Sequence, residues 1–245
     1  MPRPRTGHDA FRVSGRTDTI ASWSAKLLYH VVKFAAVPLT HAMCRPHLSG
    51  AAHVPRTGPA ILAANHLSVI DSFLLPALLP RHVTFAAKNE YFSGNPVSSW
   101  FMRLGGSLPT DRESARAAQE MLDAAAGLLE RGELFGIHPE GTRSPDGRLY
   151  RGKVGVAWLA LKTGAPVLPV ALSGTDKVMP FGARVPRPAT VGIRIGEPLR
   201  FDGDHRDARE RRRVTDEVMA AIQRLSGQEY VPEYASGHKP SHGTS

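Results

Sequence analysis

The sequence predicts an α/β fold: a single domain with a central, mostly parallel mixed sheet flanked by helices, plus an N-terminal amphipathic interfacial helix. Two observations carry the domain. Short, apolar, turn-bounded segments alternate along the chain with segments of helical period. The length of 245 residues suits one large domain, and 42% hydrophobic against 22% charged residues gives a substantial core and excludes wholesale disorder.

The elements follow in chain order. Pro59–Ala64 is short, apolar and turn-bounded, a buried strand. Val69–Leu79 reads as a helix and His82–Ala87 as a second strand. Asn95–Leu104 suggests a short helix, and Glu113–Arg131, rich in Ala, Leu, Glu and Arg, the clearest one. Leu134–Ile137 is a third strand, and Val154–Lys162 a helix closed by Gly164. Val167–Leu172 is a fourth strand. Ala189–Ile195 alternates, as an exposed or edge strand does. His205–Leu225 is a charged C-terminal helix. Residues 227–245 are polar and rich in Gly, Ser and His, the composition of a flexible tail.

Residues 19–37 have the pattern of an amphipathic helix. Lys26, His30 and Lys33 fall on one face, and Trp23, Leu27, Val31 and Phe34 on another, with Pro38 expected to end or kink it. A cationic stripe beside an apolar face fits a helix lying in a membrane interface. The same periodicity fits a helix packed on the domain. No secretory signal and no apolar run of spanning length is present, which argues for a cytoplasmic protein. The expected organisation is a basic tail over 1–18, an interfacial segment over 19–48, the folded domain over 49–226 and a polar tail over 227–245.

The chain carries 31 Lys and Arg against 22 Asp and Glu, a formal charge of +9 that implies an anionic partner. The excess is N-terminal: residues 1–56 hold eight basic side chains and two acids. Charge alone also fits a non-catalytic basic protein that binds lipid or nucleic acid. Aromatics at 7%, with no aromatic-rich basic strand, argue against nucleic acid. A single cysteine, Cys44, excludes an intrachain disulfide and a cysteine-based zinc site. His41, His47 and His53 fit no common zinc spacing, so no metal is expected.

Three clusters carry chemistry. Asn65-His66-Leu67-Ser68-Val69-Ile70-Asp71 follows the first strand and opens a helix, at the strand end where open α/β sheets bind ligands. His66 there is a general-base candidate, and Asp71 in the first helical turn can fix its tautomer. Ser68 and Asp71 also fit a capping box, so Asp71 has a purely structural reading as well. His138-Pro139-Glu140-Gly141-Thr142-Arg143-Ser144 follows the third strand. Arg143 offers a planar cationic fork suited to phosphate, and Glu140 can hold that Arg or a substrate hydroxyl. Their bland reading is a surface ion pair across a turn. Leu104–Arg112 has two glycines for close backbone approach and ends in Arg112 before a long helix. Lys88, at the end of the second strand, is a further candidate phosphate contact.

Taken together, the set resembles the 1-acylglycerol-3-phosphate acyltransferases, the bacterial-type lysophosphatidate acyltransferases. NHLSVID matches the family's Asn-His-x4-Asp block, GGSLPTDR its second block, HPEGTRS its Pro-Glu-Gly-Thr-Arg block and VLPVALSG its fourth, in the family's order, over about residues 50–200. One departure is His138, where the family usually has Phe; a place in the pocket wall is expected for it.

The resemblance implies acyl transfer from an acyl thioester to the free sn-2 hydroxyl of 1-acylglycerol-3-phosphate, giving phosphatidate in phospholipid biosynthesis. Its alternative is another lysolipid or amino-lipid acceptor in the same superfamily. His66 and Asp71 are the implied catalytic pair. Arg143, Arg112 and Lys88 are implied to hold the phosphate, and Glu140, with Gly141 and Thr142 in the same block, to position the glycerol. No cofactor is expected; acyl-CoA or acyl-carrier protein serves as co-substrate. No Gly-x-Ser-x-Gly elbow is present, in keeping with direct attack and no acyl-enzyme. Backbone amides near Gly141 or Gly174 are the candidate oxyanion donors. A membrane-resident acceptor weights the 19–48 segment toward docking on an anionic bilayer, at the inner face of the cell membrane.

Overall fold

The computed structural model describes residues 37–88, 108–110, 115–183 and 185–235. The 1–18 segment, all but the last residue of the 19–37 helix, the Asn95–Leu104 helix and Arg112 lie outside the described residues. Residues 37–44 are helical (α1), with Pro38 in the first described turn, and the expectation that Pro38 ends or kinks the 19–37 helix lies outside the described residues. Proline's fixed φ is itself helical, and what it removes is one N–H donor.

The strands are His47–Ser49 (β1), Ala60–Ala64 (β2), Val83–Lys88 (β3), Leu108–Thr110 (β4), Leu134–Ile137 (β5), Leu149–Tyr150 (β6), Val167–Ser173 (β7), Gly192–Ile195 (β8) and Tyr230–Val231 (β9). The helices after α1 are Asp71–Leu78 (α2), Ala115–Glu130 (α3), Gly155–Thr163 (α4), Thr175–Val178 (α5) and Ala208–Ser226 (α6). Gly164 and Gly227 end α4 and α6 in the left-handed conformation that glycine adopts without a Cβ penalty. Asp207 caps α6 by accepting from the Arg209 amide.

Seven described strands form one sheet in the order β1-β8-β7-β2-β5-β3-β4. β2 lies between β5 and β7 and is parallel to both; β3 is parallel to β5, and β4 to β3. β8 runs antiparallel to β7 and parallel to β1. The sheet is therefore mixed and mostly parallel. Of the two readings that its alternation allows, an exposed or an edge strand, β8 takes the first: it is interior in the sheet with one face exposed. Its alternation comes from one-sided burial: Ile193 and Ile195 are buried while Arg194 is exposed. The outer strand on that side is β1, which spans the expected boundary at 48/49 and is too short and polar to read from sequence.

Alternating side chains of the central strands supply two cores. Leu62, Phe85, Leu134 and Leu168 pack with Leu74 and Leu75 of α2 on one face. Ile61, Phe135 and Val167 pack with Ala125 of α3, Trp158 of α4 and Ile222 of α6 on the other. Burial on both faces explains why β2, β5 and β7 read as continuous apolar runs. Residues 227–235 are not a loose tail. β9 pairs with β6, and Val231 and Ala235 bury themselves against Tyr150. Residues 236–245 lie outside the described residues. Among the described residues, no helix is long and apolar enough to cross a membrane.

Candidate active site

The order β7-β2-β5 sets three parallel strand ends side by side, and each delivers one loop. Asn65 and His66 leave β2, His138 leaves β5, and Gly174 and Thr175 leave β7. Asn65 ties two of these ends together. Its Nδ2 donates to the Leu172 carbonyl at 2.9 Å, and its Oδ1 accepts the Leu172 amide at 2.7 Å.

His66 and Asp71 are both buried, with His66 Nδ1 2.9 Å from Asp71 Oδ2. The same carboxylate oxygen accepts the amides of Leu67 at 2.6 Å and Ser68 at 2.8 Å. An oxygen serving three donors is an acceptor, so Nδ1 carries the proton and Nε2 the lone pair. Half of the expected capping box forms, the bond from the Ser68 amide to Asp71. Its other half does not: the Ser68 hydroxyl donates to the Met179 carbonyl at 2.8 Å, and α2 begins only at Asp71.

The 138–144 loop grips the backbone of His66 on both sides. Glu140 accepts the His66 amide through Oε2 at 2.9 Å, and the Ser144 amide donates to the His66 carbonyl at 2.7 Å. The second Glu140 oxygen accepts the Tyr150 amide at 3.0 Å. Glu140 is therefore a buried brace and not the surface partner of Arg143. The Arg143 guanidinium instead lies 4.2 Å over the ring of Phe181, which is 53% exposed. Gly141, at φ +74°, closes the turn by donating its amide to the His138 carbonyl at 3.0 Å. That donor is spent, which removes it as an oxyanion candidate. Thr142 is half-buried beside Arg143.

Burial pushes the Glu140 carboxyl up to about 8, against the amides of Tyr150 and His66, and the charge of Asp71 adds to the rise. Burial also pushes Asp71 up, while the His138 imidazole, the amides of Ser68 and Leu67 and the dipole of the nearby Thr175 hydroxyl pull it back. Asp71 Oδ1 and Thr175 Oγ1 are buried and complete no hydrogen bond among the described residues.

Lys88 ends β3, where it pairs in register with Thr110 of β4. The Leu108–Thr110 part of the expected glycine loop is thus a strand. Several site residues escaped sequence reasoning. Gln228, from the supposed tail, accepts from Asn65 Nδ2 at 2.8 Å. Lys153 lies so close to Gly141 that a Cβ there would stand 2.9 Å from its side chain. His138 lines the pocket wall, as expected for it; what the sequence did not reveal is that its ring also stacks on His66 at 4.0 Å and 9°. An apolar cavity adjoins it, lined by Ala86, Met121, Leu122, Ile137 and Pro139. No group of three or more His, Cys, Asp or Glu among the described residues is arranged to hold a metal ion.

The acyltransferase family model matches residues 45–173, the span that holds His66, Asp71 and the 138–144 loop. The chain is 33% identical, over 64% of its length, to a chloroplast 1-acyl-sn-glycerol-3-phosphate acyltransferase of Brassica napus, covering 46% of that protein. It is 29% identical, over 68% of its length, to the 1-acyl-sn-glycerol-3-phosphate acyltransferase of Bacillus subtilis, covering 80% of it. The crystal structure of the 1-acyl-sn-glycerophosphate acyltransferase PlsC of Thermotoga maritima is similar at a TM-score of 0.63 and 27% identity, over 87% of this chain and 84% of that one. The chain spans about half the length of the plant relatives it matches.

Proposed function

Because the chain belongs to the acyltransferase family, we propose that it transfers an acyl chain from an acyl thioester, acyl-CoA or acyl-carrier protein, to the sn-2 hydroxyl of 1-acylglycerol-3-phosphate, giving phosphatidate. The observation that carries this reading is the buried His66–Asp71 pair at 2.9 Å, on a backbone clamped by the loop that presents Arg143. His66 Nε2 takes the hydroxyl proton as the glycerol oxygen attacks the thioester carbonyl. A C–O bond forms, the C–S bond breaks, and the imidazolium returns the proton to the departing thiolate. Asp71 stabilises the imidazolium between these two transfers. A thiolate is a good leaving group, so no protein nucleophile is required.

Arg143 holds the phosphate from the half-exposed rim, with Arg112 and Lys88 assigned the same anion. Glu140, Gly141 and Thr142 shape the loop that carries Arg143. The apolar cavity beside His138 suits an acyl chain. The chain works as a peripheral protein on an anionic membrane surface, the inner face of the cell membrane, docked through the basic 19–48 segment. Leu39, 64% exposed on α1, supports that docking.

The test is thiol release from acyl-CoA with a panel of lysolipids, wild type against His66→Ala. Release that needs lysophosphatidate and vanishes in a folded His66→Ala protein is expected. Release near the wild-type rate in that variant sinks the mechanism, and preference for another lysolipid reassigns the acceptor.

A further inference from the structure

The His66 ring hydrogen-bonds Asp71 through Nδ1, and a hydrogen bond fixes a point on a ring, not its plane. The terminal torsion of a histidine is broad, so the ring can turn about that bond unless something bears on its face. His138 bears on it. The two rings lie 4.0 Å apart and 9° from parallel.

His138 is itself held on every side. Its Nδ1–H points at the carbonyls of Ala64 and Asn65, both at 3.1 Å, the two residues that lead into His66. Its Nε2 hydrogen-bonds the Ser72 hydroxyl at 3.1 Å, and Ser72 follows Asp71 on α2. The Phe85 ring stands at 5.3 Å, tilted 31°. Gly136 makes room for that ring: a Cβ there would stand 2.2–2.5 Å from Phe85 ring atoms. A column thus runs from a side-chain-free position in β5 through Phe85 and His138 to the face of His66.

We propose that His138 is a positioning residue for His66, its ring fixing the plane of the imidazole and so aiming Nε2 at the acceptor hydroxyl. The inference rests on His66 acting as the base. It assigns work to the aromatic face of His138. The hydrogen bonds around the ring keep that face in place, and a ring too large to turn within the column would serve as well.

The experiment measures kcat and KM for thiol release from acyl-CoA with lysophosphatidate, alongside melting temperatures, in wild type, His66→Ala, His138→Leu, His138→Gln and His138→Phe. Losing the flat face in the Leu and Gln variants lowers kcat about tenfold or more, because small misplacements of a reacting group are costly, while KM stays within about twofold. His138→Phe returns a ring without the hydrogen bonds and recovers kcat to within about threefold of wild type. If the Leu variant fails to fold, the Gln variant, which keeps a polar group near Ser72, carries the comparison. Wild-type kcat in a variant without a ring overturns the inference, as does a Phe variant as slow as Leu and Gln. An inactive wild type fells the reading of the site and the inference with it. An active wild type with an inactive His66→Ala protein leaves the reading intact, and the His138 arms decide alone.

Discussion

Asp71→Asn separates two jobs that one oxygen performs. Oδ2 accepts from His66 Nδ1, Leu67 N and Ser68 N, so the side chain both orients the base and braces the loop before α2. An asparagine that places its carbonyl oxygen where Oδ2 stands keeps all three bonds. Its NH2 then takes the Oδ1 position, close to the Thr175 hydroxyl, which completes no other bond. Stability should change by about 1 kcal/mol or less, roughly 2–4 °C in Tm for a chain of this size. What is lost is the negative charge beside the imidazolium. With charge centres about 4 Å apart and an effective dielectric of about 20, that attraction is worth about 4 kcal/mol. At about 1.4 kcal/mol per factor of ten, kcat should fall about a thousandfold. Asp71→Ala behaves differently. It strands one buried and one partly buried backbone donor, at about 1–3 kcal/mol for the buried one, and lowers Tm as well. The assay is thiol release from acyl-CoA with lysophosphatidate, with Tm measured on the same samples. An Asn variant within about tenfold of wild-type kcat at unchanged Tm would refute the pairing of this carboxylate with an imidazolium.

Three further outcomes are expected. Glu140, raised in the folded protein from 4.5 to about 8, contributes its full stabilisation below the lower value and loses it as pH climbs through the higher, with an upper bound of roughly 5 kcal/mol; Glu140→Gln should flatten that limb of the Tm–pH curve, and an unchanged limb counts against the raised carboxyl. Gln228→Ala removes one Asn65 partner and should cost about 1 kcal/mol, or 2–4 °C in Tm, together with part of kcat; an unaltered protein would show that the C-terminal tie is idle. Arg143→Ala should raise KM for a phosphate-bearing acceptor about tenfold or more, since a charge-assisted bond is lost; a lower kcat at unchanged KM argues against phosphate binding there.

What was legible in the sequence was what depends on near neighbours. β5 falls at Leu134–Ile137 as read, and β2, β3, β7, α3, α4 and α6 fall within a few residues of their patterns. His66 and Asp71 are five residues apart across one strand-to-helix turn, so their meeting could be foreseen. Contacts between residues far apart in the chain left no local trace. Glu140 is 74 residues from the amide it braces, and Gln228 is 163 from Asn65. Such bonds exist because β2 lies between β5 and β7, and strand order is not written in any one segment. The composition of 227–235 suggests a tail because its anchors are backbone pairing, one side-chain amide and two apolar residues, Val231 and Ala235, too few to set up a strand or helix period.

The fate of Glu140 bears directly on the proposed recognition of a phosphate. Had it paired with Arg143, as adjacency in the loop suggests, the guanidinium would arrive already neutralised, and a phosphate would have to compete with a carboxylate for it. Burial prevents this. Both Glu140 oxygens turn inward to backbone amides, where leaving either amide unpaired would be costly. Arg143, half-buried over Phe181, keeps its charge at the rim. The carboxylates Asp71 and Glu140 thus act inward on the geometry of His66, and the cation stays at the rim, where the proposed phosphate would meet it. A loop that brought Glu140 to the surface would cost the His66 backbone its brace and would neutralise the cation of the proposed phosphate site. Asp71→Asn and Arg143→Ala should therefore act on different kinetic parameters, the first on kcat and the second on KM, even though both residues serve one small site.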